Sequence, residues 1–187
     1  MAGFGPHPLF SPPYLGPTGE PESQGDEYIA LALRWPKAPA PLYLMVRDGA
    51  QALAEIGFDP DTRLLCAITL VNAPFDSWAV LGDETTEVPV EEGLPRCNPD
   101  AWIARTRTGS FNMFGDYFLD VQASLRVELR PSEVVVRIGG LAGPVLRELA
   151  SGRVRCGVDA GGALAYVRLT GLSAREAQRL AEHRQAG

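Results

Sequence analysis

Lysine is almost missing from this chain: Lys37 stands alone against sixteen arginines, a bias that a GC-rich coding sequence produces without any ligand in view. Histidine is nearly as scarce, with only His7 and His183, and neither has a metal-ligating neighbour in sequence. That count excludes a histidine-rich zinc centre. It also leaves Ser–His or Cys–His catalysis dependent on one of two residues near the chain ends. Cysteine occurs three times, at Cys66, Cys97 and Cys156, too far apart and odd in number for a disulfide framework or a Cys-based metal motif. Inert buried thiols in a reducing compartment are the expectation. No apolar run reaches bilayer-spanning length. Residues 1–25 lack a basic start, and Pro6, Pro8, Pro12 and Pro13 break up any secretory h-region. The chain is therefore expected to be soluble and cytoplasmic, with no membrane contact, no metal and no cofactor.

What remains is an ordinary globular composition. The chain has 187 residues, 45% of them hydrophobic and 21% charged, which suits one domain with a sizeable core. The net charge of −6 conceals a split. Residues 1–100 carry five basic and fifteen acidic side chains, 5 − 15 = −10, and residues 101–187 carry twelve and eight, 12 − 8 = +4. Such a split orients assembly or steers a charged partner only if the halves stay apart in space.

Residues 1–25 form a Pro/Gly-rich extended arm with Phe4, Phe10 and Tyr14 set in it, and residues 26–187 a single α+β domain. The arm is either a loose tail or docks its aromatics on this subunit or a neighbour. Period-two alternation predicts strands over Tyr28–Trp35 and Leu42–Arg47, and the apolar run Leu64–Val71 reads as a central strand. Between them Asp48, Gln51, Leu53, Ile56 and Gly57 match a short capped helix. Trp78–Leu81 reads as a further short strand. Residues 82–116, with the acidic stretch Asp83, Glu84, Glu87, Glu91 and Glu92 and the aromatics Trp102, Phe111 and Phe114, read as a long excursion.

The strongest periodic signal follows. Tyr117, Leu119, Val121, Ala123, Leu125, Val127 and Leu129 alternate with mostly polar residues, a pattern no helix produces. This predicts one long half-buried strand, turned at Pro131-Ser132 onto a partner over Glu133–Ile138. Gly139, Gly140 and Gly143 then lead into a helix predicted at Pro144 and ended by Gly152. A hairpin is expected over Arg153–Val158 and Ala163–Leu169, and a last helix from Ser173 with Glu176 completing its capping box. The fold class is α+β: an antiparallel-rich sheet or open barrel with three short helices and a Pro-rich N-terminal arm.

No catalytic constellation emerges, and the reading leans away from an enzyme. Phe4, Phe10, Tyr14, Trp102, Phe111 and Phe114 are interface candidates if exposed and core residues if not. Arg126, Arg130, Arg153, Arg155 and Arg168 are charged-contact candidates on the long strand and last hairpin. With a sequence pI near 5.0 and no RNA-binding aromatic signature, they point to a protein partner before nucleic acid. The function expected first is a non-catalytic interaction or assembly protein, acting by strand addition or arm exchange. A structural component of a bacterial or phage assembly fits, as does an acidic inhibitor of immunity type. The alternative is a phosphate-ligand protein or enzyme that uses Gly139, Gly140 and Gly143 at a helix N-terminus.

Overall fold

A computed structural model describes residues 8–25, 28–36, 41–49, 52–73, 78–80, 88–102 and 118–186. It replaces the α+β expectation with a mostly β architecture of two stacked sheets. The smaller sheet has six strands, in the order β2 (Glu22–Gln24), β3 (Leu31–Arg34), β6 (Leu65–Asn72), β5 (Ala52–Phe58), β4 (Leu42–Asp48) and β9 (Phe118–Gln122). The larger has eight, in the order β1 (Phe10–Leu15), β8 (Val90–Cys97), β12 (Arg147–Ser151), β13 (Val154–Val158), β14 (Leu164–Thr170), β11 (Glu133–Gly139), β10 (Ser124–Leu129) and β7 (Trp78–Val80). Neither order returns on itself, so no barrel closes. Leu33, Val46, Ile56, Phe58 and Leu70 from the smaller sheet meet Val127, Val134, Leu149, Val154 and Leu164 from the larger in one continuous core.

Two of the three expected helices are strands. In Asp48–Gly57, Ala52, Ala54, Ile56 and Phe58 alternate into the core and pair along β4 and β6. The Asp48 carboxylate caps no helix; it accepts from the Leu125 amide at 2.9 Å and pins the start of β10. Residues 147–151, expected in the helix opening at Pro144, form β12, antiparallel to β13 and parallel to β8. Gly152, read as a helix end, sits at φ 55° in the tight loop joining β12 to β13. Helix ends and hairpin loops both recruit glycine at positive φ, so the residue alone does not choose between them. The last helix, Ala174–Ala186, forms as expected. The Ser173 amide donates to Glu176 Oε2 at 2.8 Å and the Glu176 amide to Ser173 Oγ at 3.3 Å, while Leu180 is fully buried.

The long alternating segment is strand, but in two pieces. β9 lies parallel to β4 in the smaller sheet, and β10 lies antiparallel to β11 in the larger. The chain changes sheets at Ala123, whose amide donates to the Arg47 carbonyl at 2.9 Å. One inward face is thereby shared between two layers, as at the corners of sandwich folds. The excursion over residues 82–116 is likewise corrected where it is described: residues 90–97 are β8, paired with β1 and β12, and residues 99–102 are helical.

The N-terminal arm is built into its own chain. β1 pairs with β8, and β2 pairs with β3. Phe10 is buried edge-on to Phe58 at 6.0 Å, and Trp102 packs on the same ring at 6.1 Å. Both are core residues, not surface anchors. Phe4, Phe111, Phe114 and His7 lie outside the described residues.

All three cysteines are free and buried. Burial is the leading cause that pushes the thiols up, to about 12 for Cys66, about 11 for Cys97 and about 12 for Cys156. Thiolate is the reactive form, so at pH 8 the native thiols should be silent to a disulfide reagent. The expected outcome is three equivalents released only on denaturation. A fast equivalent from native protein would contradict this burial.

Candidate functional site

The alternation that sends Val134, Val136, Cys156, Val167 and Leu169 into the core sends their neighbours to the outer face of the larger sheet. There the strands line up charged rungs. Arg126 stands opposite Arg137, which stands opposite Tyr166, and Tyr166 stands opposite Gly157. On the next rung Glu128, Val135, Arg168 and Arg155 follow one another across four strands.

Most of these groups are bonded to each other. Arg137 Nε donates to Glu128 Oε1 at 2.6 Å, and Arg130 Nη1 to Glu133 Oε1 at 2.9 Å. Arg168 lies 3.0 Å from Glu148 and 3.8 Å from Glu133. Tyr166 Oη donates to Glu148 Oε1 at 2.7 Å, reaching from β14 across β13 to β12. The guanidiniums of Arg137 and Arg168 lie 5.1 and 5.6 Å from the Tyr166 ring centroid, within cation–π range. Glu128, Arg130, Glu133 and Glu148 are all buried. Burial, then the bond to Glu148, pushes the Tyr166 hydroxyl up to about 12, so it stays a donor at neutral pH. Each of the three carboxylates is held by at least one guanidinium.

Gly157 makes this arrangement possible. A Cβ there would fall 2.3 Å from Cε1 of Tyr166, so the ring lies where a side chain would stand. Such close approach is a recognised use of strand glycine.

Of the five arginines singled out from sequence, Arg126, Arg130, Arg155 and Arg168 share this face. Arg153 is diverted to the C-terminal helix, where it pairs with Glu176 at 3.0 Å. That contact is the main cause holding the Glu176 carboxyl down at about 2. Arg155 donates to the carbonyls of Gly152 and Val154. The Arg126 side chain is exposed and makes no hydrogen bond or ion pair among the described residues. Arg137, Tyr166 and the three glutamates were not singled out from sequence. For Glu128, Glu133 and Arg137 the signal was the β10–β11 register across the Pro131-Ser132 turn; nothing comparable marked Tyr166 or Glu148.

The glycine-rich turn differs from the strand-to-helix connection expected of it. No helix follows it, and the Gly143 amide already donates to Asp159 Oδ2 at 2.8 Å. Asp159 also accepts from Gly161 and Ala163, and these backbone donors outweigh its desolvation and hold its carboxyl below the usual range. A protein carboxylate thus stands where the anion was expected. A pocket of about 250 Å³ opens beside it, walled by Leu9, Phe10 and Leu141.

The four sheet edges differ. β1 carries Pro12 and Pro13 at a register break, which suppresses pairing along its free side. β2 is three residues long, and β7 is described over three residues. β9 is a five-residue strand without proline or glycine, and among the described residues it pairs only with β4. Beside it Phe118 stacks on Tyr43 at 5.5 Å, and Asp120 accepts from Arg47 Nε at 2.8 Å. Among the described residues no cluster of three or more potential metal-binding side chains occurs, and no helix is long and apolar enough to cross a membrane. No family model and no curated protein matches this chain.

Proposed function

We propose that this chain is a non-catalytic interaction or assembly protein that takes a strand of another polypeptide onto β9. The comparison of edges carries the reading: β1 is proline-broken and β2 is short, and β9 is neither. The edge over residues 119–122 offers backbone hydrogen bonds for affinity, while the alternating side chains on its two faces set register. Arm exchange is not part of the proposal, because β1 and β2 have partners within the chain. The buried reduced thiols fit a cytoplasmic setting.

A second copy is the partner to test. Sedimentation equilibrium should show mean mass rising with concentration. Gln122→Pro and Gln122→Lys, at an exposed position on the edge, should each hold the protein monomeric while leaving its unfolding transition in place. Monomers at all concentrations, with β9 amides exchanging unprotected, would overturn strand addition between copies.

A further inference from the structure

The outer face of the larger sheet has more arginine than its carboxylates neutralise. Arg126, Arg130, Arg137, Arg155 and Arg168 stand against Glu128, Glu133 and Glu148, so 5 − 3 = +2 on these strands of a chain with net charge −6. The excess is not spread evenly. It concentrates where Arg126 faces Arg137 across β10 and β11. Like charges directly opposite each other destabilise a sheet, so this rung is unfavourable as it stands. Arg137 commits its Nε to Glu128, and Arg126 has no partner among the described residues. The next rung places exposed Ser124 opposite Gly139, and a Cβ at Gly139 would fall 2.1 Å from Ser124 Oγ, so the serine hydroxyl spans that gap.

We propose that Arg126, Arg137 and the Ser124 hydroxyl form a receptor for a side-chain carboxylate on an acidic segment of a partner protein. Arg126 and Arg137 stand directly opposite each other on neighbouring strands, and a carboxylate accepting from guanidiniums makes charge-assisted hydrogen bonds about twice as strong as neutral ones. Ser124 and Arg126 are exposed on the sheet face, and among the described residues no pocket wall encloses them. A polypeptide can therefore add contacts that a small carboxylic acid cannot. The positive excess is small and local to the Arg126–Arg137 rung, which suits a single carboxylate and not a continuous phosphate backbone. This receptor is independent of strand addition at β9, which lies in the other sheet.

The test is binding of a fluorescent hexaglutamate peptide at low ionic strength, read by anisotropy. Saturable binding that weakens with salt is expected. Arg126→Glu should weaken it at least about tenfold, because it reverses the charge that meets the carboxylate. Arg175→Glu makes the same change in net charge on an exposed part of the C-terminal helix and should leave binding unaltered. Circular dichroism must show both variants folded; Arg126→Gln, expected to weaken binding in the same direction, replaces Arg126→Glu if it does not. Three results would overturn the receptor: no saturation by about 1 mM peptide, equal losses in the two glutamate variants, or tighter binding of a single-stranded oligonucleotide of equal charge.

Discussion

Glu148→Ala is expected to cost about 3–5 kcal/mol of unfolding free energy, the range for removing one partner from a buried ion pair. The Glu148 carboxylate accepts from Tyr166 Oη at 2.7 Å and lies 3.0 Å from Arg168. Removing it leaves the phenol without that acceptor, and a buried donor stranded in this way costs about 1–3 kcal/mol by itself. It also leaves the Arg168 side chain, only 12% exposed, with Glu133 at 3.8 Å as its remaining counter-charge. Urea unfolding of the variant reads the loss directly. The lattice itself need not be strongly stabilising, since buried pairs exchanged together for apolar residues are often neutral. Glu148→Met with Arg168→Met and Tyr166→Phe should therefore recover much of what Glu148→Ala loses. A loss below about 1 kcal/mol in the single variant would mean that water screens this face as it does an ordinary surface pair.

That lattice was only half visible in the sequence, for a definite reason. The sequence reading put Arg126 and Arg130 on one side of a strand and Arg153, Arg155 and Arg168 on one side of a hairpin, from which Arg153 departs to pair with Glu176. It could not say that the two sides were the same face, because β11 joins them and only the sheet order reveals that. Glu148 was hidden further, because its segment was read as a helix. Val145, Leu146, Leu149 and Ala150 match a helical stripe, yet only Leu149 and Ser151 of β12 turn into the sandwich, and Leu146 stays exposed. Short apolar segments carry too few turns to fix a period, so pairing partners decide, and partners are distant in sequence. The same ambiguity affected Asp48–Gly57. The arm failed differently. Its prolines signalled extension, and extension is what β1 has; nothing local announced that β8 would pair with it. The alternation through Val121 and Val127 gave the strands but not the sheet change at Ala123, which depends on bonds to Arg47 and Asp48.

Gly157→Ala tests whether the Tyr166 ring needs the bare backbone beneath it. Alanine is compatible with the extended backbone at residue 157, where no positive φ occurs, so any cost comes from contact and not from strain in the chain. The new methyl would lie 2.3 Å from Cε1 and 2.4 Å from Cζ of Tyr166, far inside van der Waals distance. The ring cannot lift away freely, because its hydroxyl is bonded to Glu148 while Arg137 and Arg168 lie against it. Relief requires breaking that bond or spreading β13 from β14. Overpacking of this kind costs about 1–3 kcal/mol, and a stranded Tyr166 hydroxyl adds a comparable amount. A loss of about 3 kcal/mol is therefore expected, close to that of Glu148→Ala although no charge has changed. The double-mutant cycle with Tyr166→Ser separates the causes. The three atoms nearest the new methyl all belong to Tyr166, so without the ring Gly157→Ala should cost much less, and the coupling should account for most of the single-variant loss. Equal costs in both backgrounds would show that residue 157 acts through the β13 backbone and not by making room for Tyr166.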